Sequence, residues 1–330
     1  MHIRAHHPYP SRRSPVAADN LVSTSHPLAT QAGLAMLARG GNAVDAALAA
    51  AITLTVVEPT GNGIGSDAFA IIWDGTHLHG LNGSGRSPAR WTPDRFSGLD
   101  TLPFRGWETV TVPGAVSAWV AVSDRFGKLD FASLFEPAIR YASDGFPVSP
   151  IIASLWRRAG AELGGQPGFA DTFLPGGRAP VAGEYFSSPG HARSLQLIAE
   201  TKGDAFYTGV LAQEIAAFAA KHHAALSMDD LAAHEPDWCG TVSRRFDAAT
   251  LHEIPPNGQG IAALMALGIL DHTNIRDLDA DDPLALHIQI EAVKLGLRDA
   301  EAYVADLDHM RDVTVDDILS DAYIPTRAEV

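Results

Sequence analysis

The run from Ala43 to Val57 is built almost wholly of alanine and branched aliphatic residues, with Asp45 its single charged side chain, and Pro59 forbids its continuation. Asn42 stands where a helix N-cap belongs. The run therefore predicts a helix buried on most of its surface, pressed against a sheet or another helix. It falls short of the roughly 20 apolar residues a bilayer span requires, so no membrane segment is expected. Upstream, Leu28, Ala32, Ala35 and Leu37 recur near helical spacing, and Gly40-Gly41 supplies a stop, predicting a helix over Pro27 to Ala38.

The chain has 330 residues, which allows one large or two ordinary domains. Its 24 basic against 39 acidic side chains leave a net charge of −15. Nucleic-acid binding rests on clustered Lys and Arg, so no nucleic-acid partner is expected. The single cysteine, Cys239, excludes an internal disulfide framework and any CxxC metal or redox site. Met1 to Asn20 holds histidines and prolines without an apolar core, so it reads as a loose arm and not as a secretory signal. The expected division is a flexible arm over 1–22 and one domain over 23–330, in a cytoplasmic protein.

Downstream of the buried helix, Thr60 to Asp67 is a glycine-rich turn leading to strands at Ala68 to Trp73 and Thr76 to Leu81, joined at Asp74-Gly75 as a hairpin. Helices are predicted over Phe131 to Ala142, Ala192 to Thr201, Leu211 to His222, Gly260 to Leu270 and Leu284 to Ala305. Short strands are predicted at Glu108 to Val112 and Ala249 to Ile254. Without regular βαβ spacing, this favours a layered α+β architecture.

The loop from Gly61 to Ser66 nearly matches a dinucleotide fingerprint, but Ser66 stands at the third glycine. It also runs from helix to strand, the reverse of the order that places a pyrophosphate on a helix N-terminus. A tight turn is the expectation, and no cofactor. The histidines show no HExxH or other paired ligand spacing, with His6-His7 in the arm and His222-His223 closing a helix, so no metal is expected. No GxSxG elbow is present, and no nucleophile is visible. Asn82 to Pro88 mixes glycines, hydroxyls and Arg86 at a strand end, where backbone N–H groups and a guanidinium are suited to a carboxylate; an ordinary surface loop is the competing reading. Val112-Pro113-Gly114 and Pro255 to Gly260 read as rigid turns.

Taken in order, several blocks resemble the large subunit of the γ-glutamyltransferase (γ-glutamyltranspeptidase) family of N-terminal-nucleophile hydrolases. They are Ser25 to Gly33, Gly40 to Ala47, Gly63-Ile64-Gly65, Val112-Pro113-Gly114, Asp144-Gly145-Phe146, Phe206 to Gly209, Asp230-Leu231, Pro255-Pro256 and Glu291 to Lys294. The Gly40 to Ala47 block is the most specific.

The resemblance implies an αββα four-layer sandwich, made as a precursor that cuts itself, with the strands of a separate small subunit completing the sheets. It places the threonine nucleophile at the start of that small subunit, leaving no catalytic residue in this chain. It implies cleavage or transfer of an acyl group, γ-glutamyl or related, from a small-molecule amide. Alignment on Pro88 puts Ser84 where the family's carboxylate-binding arginine stands and Gly85 at the following glutamate, with Arg86 two residues later. Either Arg86 reaches the same anion or the glutamyl clamp is absent. Ser84, Gly85 and Arg86 are thus the expected acyl-side contacts. The alternative is a catalytically silent scaffold that keeps the fold.

Overall fold

The computed structural model describes residues 16–329; residues 1–15 of the expected arm, with His6 and His7, lie outside them. By residue contacts the chain divides into two compact units. The first comprises Met1–Ser66, Ser87–Thr111 and Trp119–Ala233, the second Asp67–Arg86, Val112–Ala118 and His234–Val330.

In the first unit the helices Pro27–Ala38 and Ala43–Val57 form where the pattern places them and pack on each other. Asn42 starts the second as a reciprocal cap: its Oδ1 accepts from Val44 and Asp45 N–H, each at 3.0 Å, and Asp45 Oδ2 accepts from Asn42 N–H at 2.8 Å. The fully buried Asp45 carboxylate also takes the N–H groups of Lys128 and Leu129, at 3.0 and 3.2 Å. One side chain thus caps a helix and anchors a loop more than eighty residues away. Buried Ala46, Ala49, Ala50, Ile52, Val56 and Val57 surround the helix axis, as its composition requires. A second centre forms around Trp156, whose ring stacks edge-on against Phe186 at 4.7 Å and whose Nε1–H donates to Phe173 O at 2.7 Å.

Two expectations in this unit are corrected. The segment Phe131 to Ala142 is not one helix but a 3-10 turn, Phe131–Phe135, followed by the helix Glu136–Asp144, because Pro137 lacks the N–H to continue an existing helix and suits the first turn of a new one. Residues Glu108 to Val112 form no strand: Trp107–Thr109 is a 3-10 turn. Pro113, with no N–H, denies the segment a ladder. The helices Ala115–Phe126 and Pro150–Leu163 form in stretches for which the pattern gave no expectation.

In the second unit, Ala68–Trp73 pairs antiparallel with Leu78–Gly83, from Ala68 opposite Gly83 to Trp73 opposite Leu78. The second strand starts two residues later than the sequence suggests. Asp74 Oδ1 accepts from both Thr76 and His77 N–H at 2.7 Å, which lengthens the turn. A second ribbon pairs Val242–Phe246 with Ala249–Glu253. Helices Ile261–Leu270 and Pro283–Tyr303 pack together, and Ile261, Met265, Ile269 and Ala292 form the core of this unit with Ile318 and Ile324. Among the described residues all named strands lie in antiparallel two-stranded ribbons, in keeping with an α+β chain.

Candidate functional site

Ser84, Gly85 and Arg86 leave the end of the strand Leu78–Gly83, and the second unit fixes them from two sides. On one side stands a ring of uncharged side chains. Ser84 donates its N–H and its hydroxyl to Asn82 Oδ1, at 2.9 and 2.7 Å. Asn82 Nδ2 donates to Asn257 Oδ1 at 2.8 Å, and Asn257 Nδ2 donates back to Ser84 Oγ at 3.0 Å. Asn82 is itself held by paired backbone bonds to Asp237, both at 2.8 Å.

On the other side lies the turn Val112-Pro113-Gly114. Val112 N–H donates to Arg86 O at 3.0 Å. A Cβ on Gly114 would fall 1.9 Å from Gly83 O, so only glycine permits that approach. The turn thus grips the loop at both ends. Ser117 Oγ lies 2.8 Å from Gly114 O, to which it donates, and 2.9 Å from His234 Nε2. Burial pushes the His234 imidazole below its ordinary pKa; Asp237 opposes that shift, Arg86 adds to it, and Glu235 opposes it.

The three residues expected at the site are therefore close in space as well as in sequence, but they differ in character. Ser84 is locked into the ring, Gly85 is pressed against backbone, and Arg86 is exposed. No hydrogen-bond or ion-pair partner holds the Arg86 guanidinium among the described residues. The arrangement joins a fixed neutral polar surface to one exposed cation, which suits recognition of a polar ligand. Among the described residues no group of three or more His, Cys, Asp or Glu is placed to hold a metal ion.

Asn257 and His234 were not singled out from the sequence. Asn257 lies in a stretch read only as a turn, and its contact with Ser84 spans 173 positions, a distance no local pattern reports. The Gly61 to Ser66 loop behaves as the turn expected of it, with Ser66 N–H and Oγ both donating to Gly63 O, at 3.2 and 2.6 Å.

A family model described as Gamma-glutamyltranspeptidase matches residues 29–330. The chain belongs to the γ-glutamyltranspeptidase family. It is 35% identical over 320 residues to the glutathione hydrolase-like YwrD proenzyme of Bacillus subtilis, covering 96% of this chain and 61% of that relative. The structure of cephalosporin acylase from Bacillus halodurans is similar over 100% of this chain and 63% of that one, with 45% identity and a TM-score of 0.91. The γ-glutamyltranspeptidase of Helicobacter pylori is similar at 25% identity over 96% of this chain and 93% of that one, with a TM-score of 0.90. These likenesses give this γ-glutamyltranspeptidase-family chain a mixed α/β fold, and it spans about three fifths of the curated relative's length.

Proposed function

We propose that this chain is the large subunit of a self-processing amidohydrolase or acyltransferase, completed into a four-layer αββα sandwich by a small subunit from the same precursor. The observation that carries the reading is a pair of open apolar faces in the second unit. Along the strand Ala68–Trp73 the alternate residues Phe69, Ile71 and Trp73 are 44%, 42% and 61% exposed. Along the helix Pro283–Tyr303 an exposed stripe runs through Leu286, Ile290, Val293 and Leu297 at helical spacing. Contiguous apolar surface of this kind marks an interaction site, and a sheet of two strands is marginal alone. The proenzyme naming of the B. subtilis relative supports the same reading.

In the completed enzyme, the small subunit's N-terminal threonine attacks the carbonyl of a small-molecule amide. Its own α-amino group takes the hydroxyl proton and passes it to the amide nitrogen, the C–N bond breaks and the amine leaves, and the acyl group held as an ester on the threonine is then released to water or to an acceptor amine. Backbone donors of the small subunit stabilise the oxyanion. This chain contributes the acyl-side contacts Ser84, Gly85 and Arg86.

Intact-mass measurement and N-terminal sequencing of the full gene product test the proposal. The expected result is two chains, the second starting with threonine. A single uncut chain whose downstream sequence offers no Thr, Ser or Cys to begin a small subunit would overturn it.

A further inference from the structure

We infer that His234 is a positioning residue for the acyl side of the site: its imidazole, through Ser117 and the Gly114 peptide, holds the strand end Gly83 to Arg86 where a substrate meets Ser84, Gly85 and Arg86. The inference rests on the proposed acyl-side role of those three residues and adds a fourth that acts through them.

Segments of the second unit meet beside this loop and are linked in a circuit. Asn82 and Asp237 exchange backbone bonds, each at 2.8 Å. Farther along, Cys239 and Gly240 N–H both donate to Gly80 O, at 3.0 and 3.2 Å, so the segment that carries His234 is fastened to the strand itself. Arg86 O accepts from Val112 N–H at 3.0 Å. Gly114 lies so close to Gly83 that a Cβ on it would fall 1.9 Å from Gly83 O. The circuit closes between the His234 segment and the turn Val112-Pro113-Gly114, where His234 Nε2 stands 2.9 Å from Ser117 Oγ. Ser117 Oγ in turn donates to Gly114 O at 2.8 Å. The same imidazole nitrogen lies 3.1 Å from where a Gly114 Cβ would be, so the ring packs against that glycine as well.

The other links run through backbone atoms, whereas the contact of His234 with Ser117 runs through side chains. A single substitution there loosens the turn while the pairing of Asn82 with Asp237 stays. The members of such a circuit support one another, so a turn freed from His234 holds Val112 N–H less firmly on Arg86 O. Charge fits the same role. Burial lowers the pKa of the half-buried imidazole, Asp237 opposes the shift, Arg86 adds to it and Glu235 opposes it. Held below its ordinary pKa, the ring is mostly neutral at pH 7 and meets Ser117 as a neutral hydrogen-bonding group, not as a second cation. A group that only places the acyl-side contacts acts alike on bound substrate and transition state, so its loss falls on KM more than on kcat.

The test uses the full gene product as isolated, with two readouts: hydrogen exchange at the Val112 amide, whose bond to Arg86 O belongs to the circuit, and the kinetics of adipoyl-p-nitroanilide. His234→Ala is expected to speed that exchange at least about 5-fold and to raise KM about 5- to 10-fold, with kcat kept within about 2-fold. His234→Gln, whose neutral amide can donate to or accept from Ser117, should restore both. Ser117→Ala cuts the same link from its other end and stands in if His234→Ala does not fold. It should match His234→Ala, and the double variant should add less than about 2-fold to either. Unchanged exchange at Val112 would overturn the inference, as would a KM that stays put while exchange quickens, losses that multiply in the double variant, or failure of His234→Gln to restore them. An anilide left uncleaved by the unaltered protein would count against the acyl-amide reading, and exchange at Val112 alone would then uphold or overturn the hold on the loop.

Discussion

A Cβ built on Gly85 would lie 1.5 Å from the carbonyl oxygen of Val112. The glycine is required there by backbone meeting backbone. Gly85→Ala must push Val112 away and with it the hydrogen bond from Val112 N–H to Arg86 O. The expected cost is about 1–3 kcal/mol, the usual range for overpacking. Urea denaturation of the purified protein measures it, and unchanged stability would mean that the two segments are not held together in solution.

Asp45 accepts hydrogen bonds from Asn42, Lys128 and Leu129 while fully buried. Asp45→Ala leaves those donors without a partner and removes half of the reciprocal cap, for an expected loss of about 2–4 kcal/mol. Asp45→Asn keeps the shape and one acceptor oxygen and should lose less. Equilibrium unfolding of the pair separates the cap from the simple loss of volume.

His191 gives the fold a pH limit. Burial pushes its imidazole down to about 4 from an ordinary 6.5, and its Nε2 lies 3.5 Å from Thr55 Oγ1. The unfolded chain therefore binds a proton that the folded chain refuses between those two values. Stability from this group is fully present above pH 6.5 and drains away as pH falls toward 4, by about 3 kcal/mol in total. His191→Gln should flatten that part of the stability profile. A profile with the same slope in both proteins would show that the imidazole is not held neutral.

The exposed Arg86 guanidinium predicts a charge-dependent effect confined to substrate handling. Arg86→Ala should raise KM about 3- to 10-fold for adipoyl-p-nitroanilide, whose carboxylate lies one methylene beyond that of a glutaryl group, with little change for an uncharged acyl anilide. Added salt should shrink the difference. Equal kinetics of the two proteins on the anionic substrate would remove Arg86 from the site.

Legibility from the sequence followed the range of the interactions involved. The helix Ala43–Val57 was visible because cap, composition and terminating proline all lie within one window, and the hairpin because period-2 strands flank an Asp-Gly pair. Its register slipped by two residues because the Asp74 side chain, rather than the backbone alone, shapes the turn. Glu108 to Val112 had the look of a strand, yet among the described residues the backbone bond it makes beyond its own turns is Val112 N–H to Arg86 O, and Pro113 has no N–H to extend a ladder. The resemblance drew attention to Ser84, Gly85 and Arg86 but said nothing of Asn257, whose contact with Ser84 joins two loops 173 positions apart. Even the most specific block, Gly40 to Ala47, owes its pattern to Asn42 and Asp45 tying a helix to a loop.

The open face of Phe69, Ile71 and Trp73 has a practical corollary. The outer edge of its strand pairs with no other strand among the described residues, which makes it a template for a second copy as well as for a proper partner. Each copy also carries a net charge of −15, so two copies repel while ions are few and cease to when ions are plentiful. Ionic strength, more than temperature, should then govern whether isolated chains stay dispersed. A light-scattering series in salt reads this directly, and low-salt handling is the condition under which the exposed face stays uncovered by another copy.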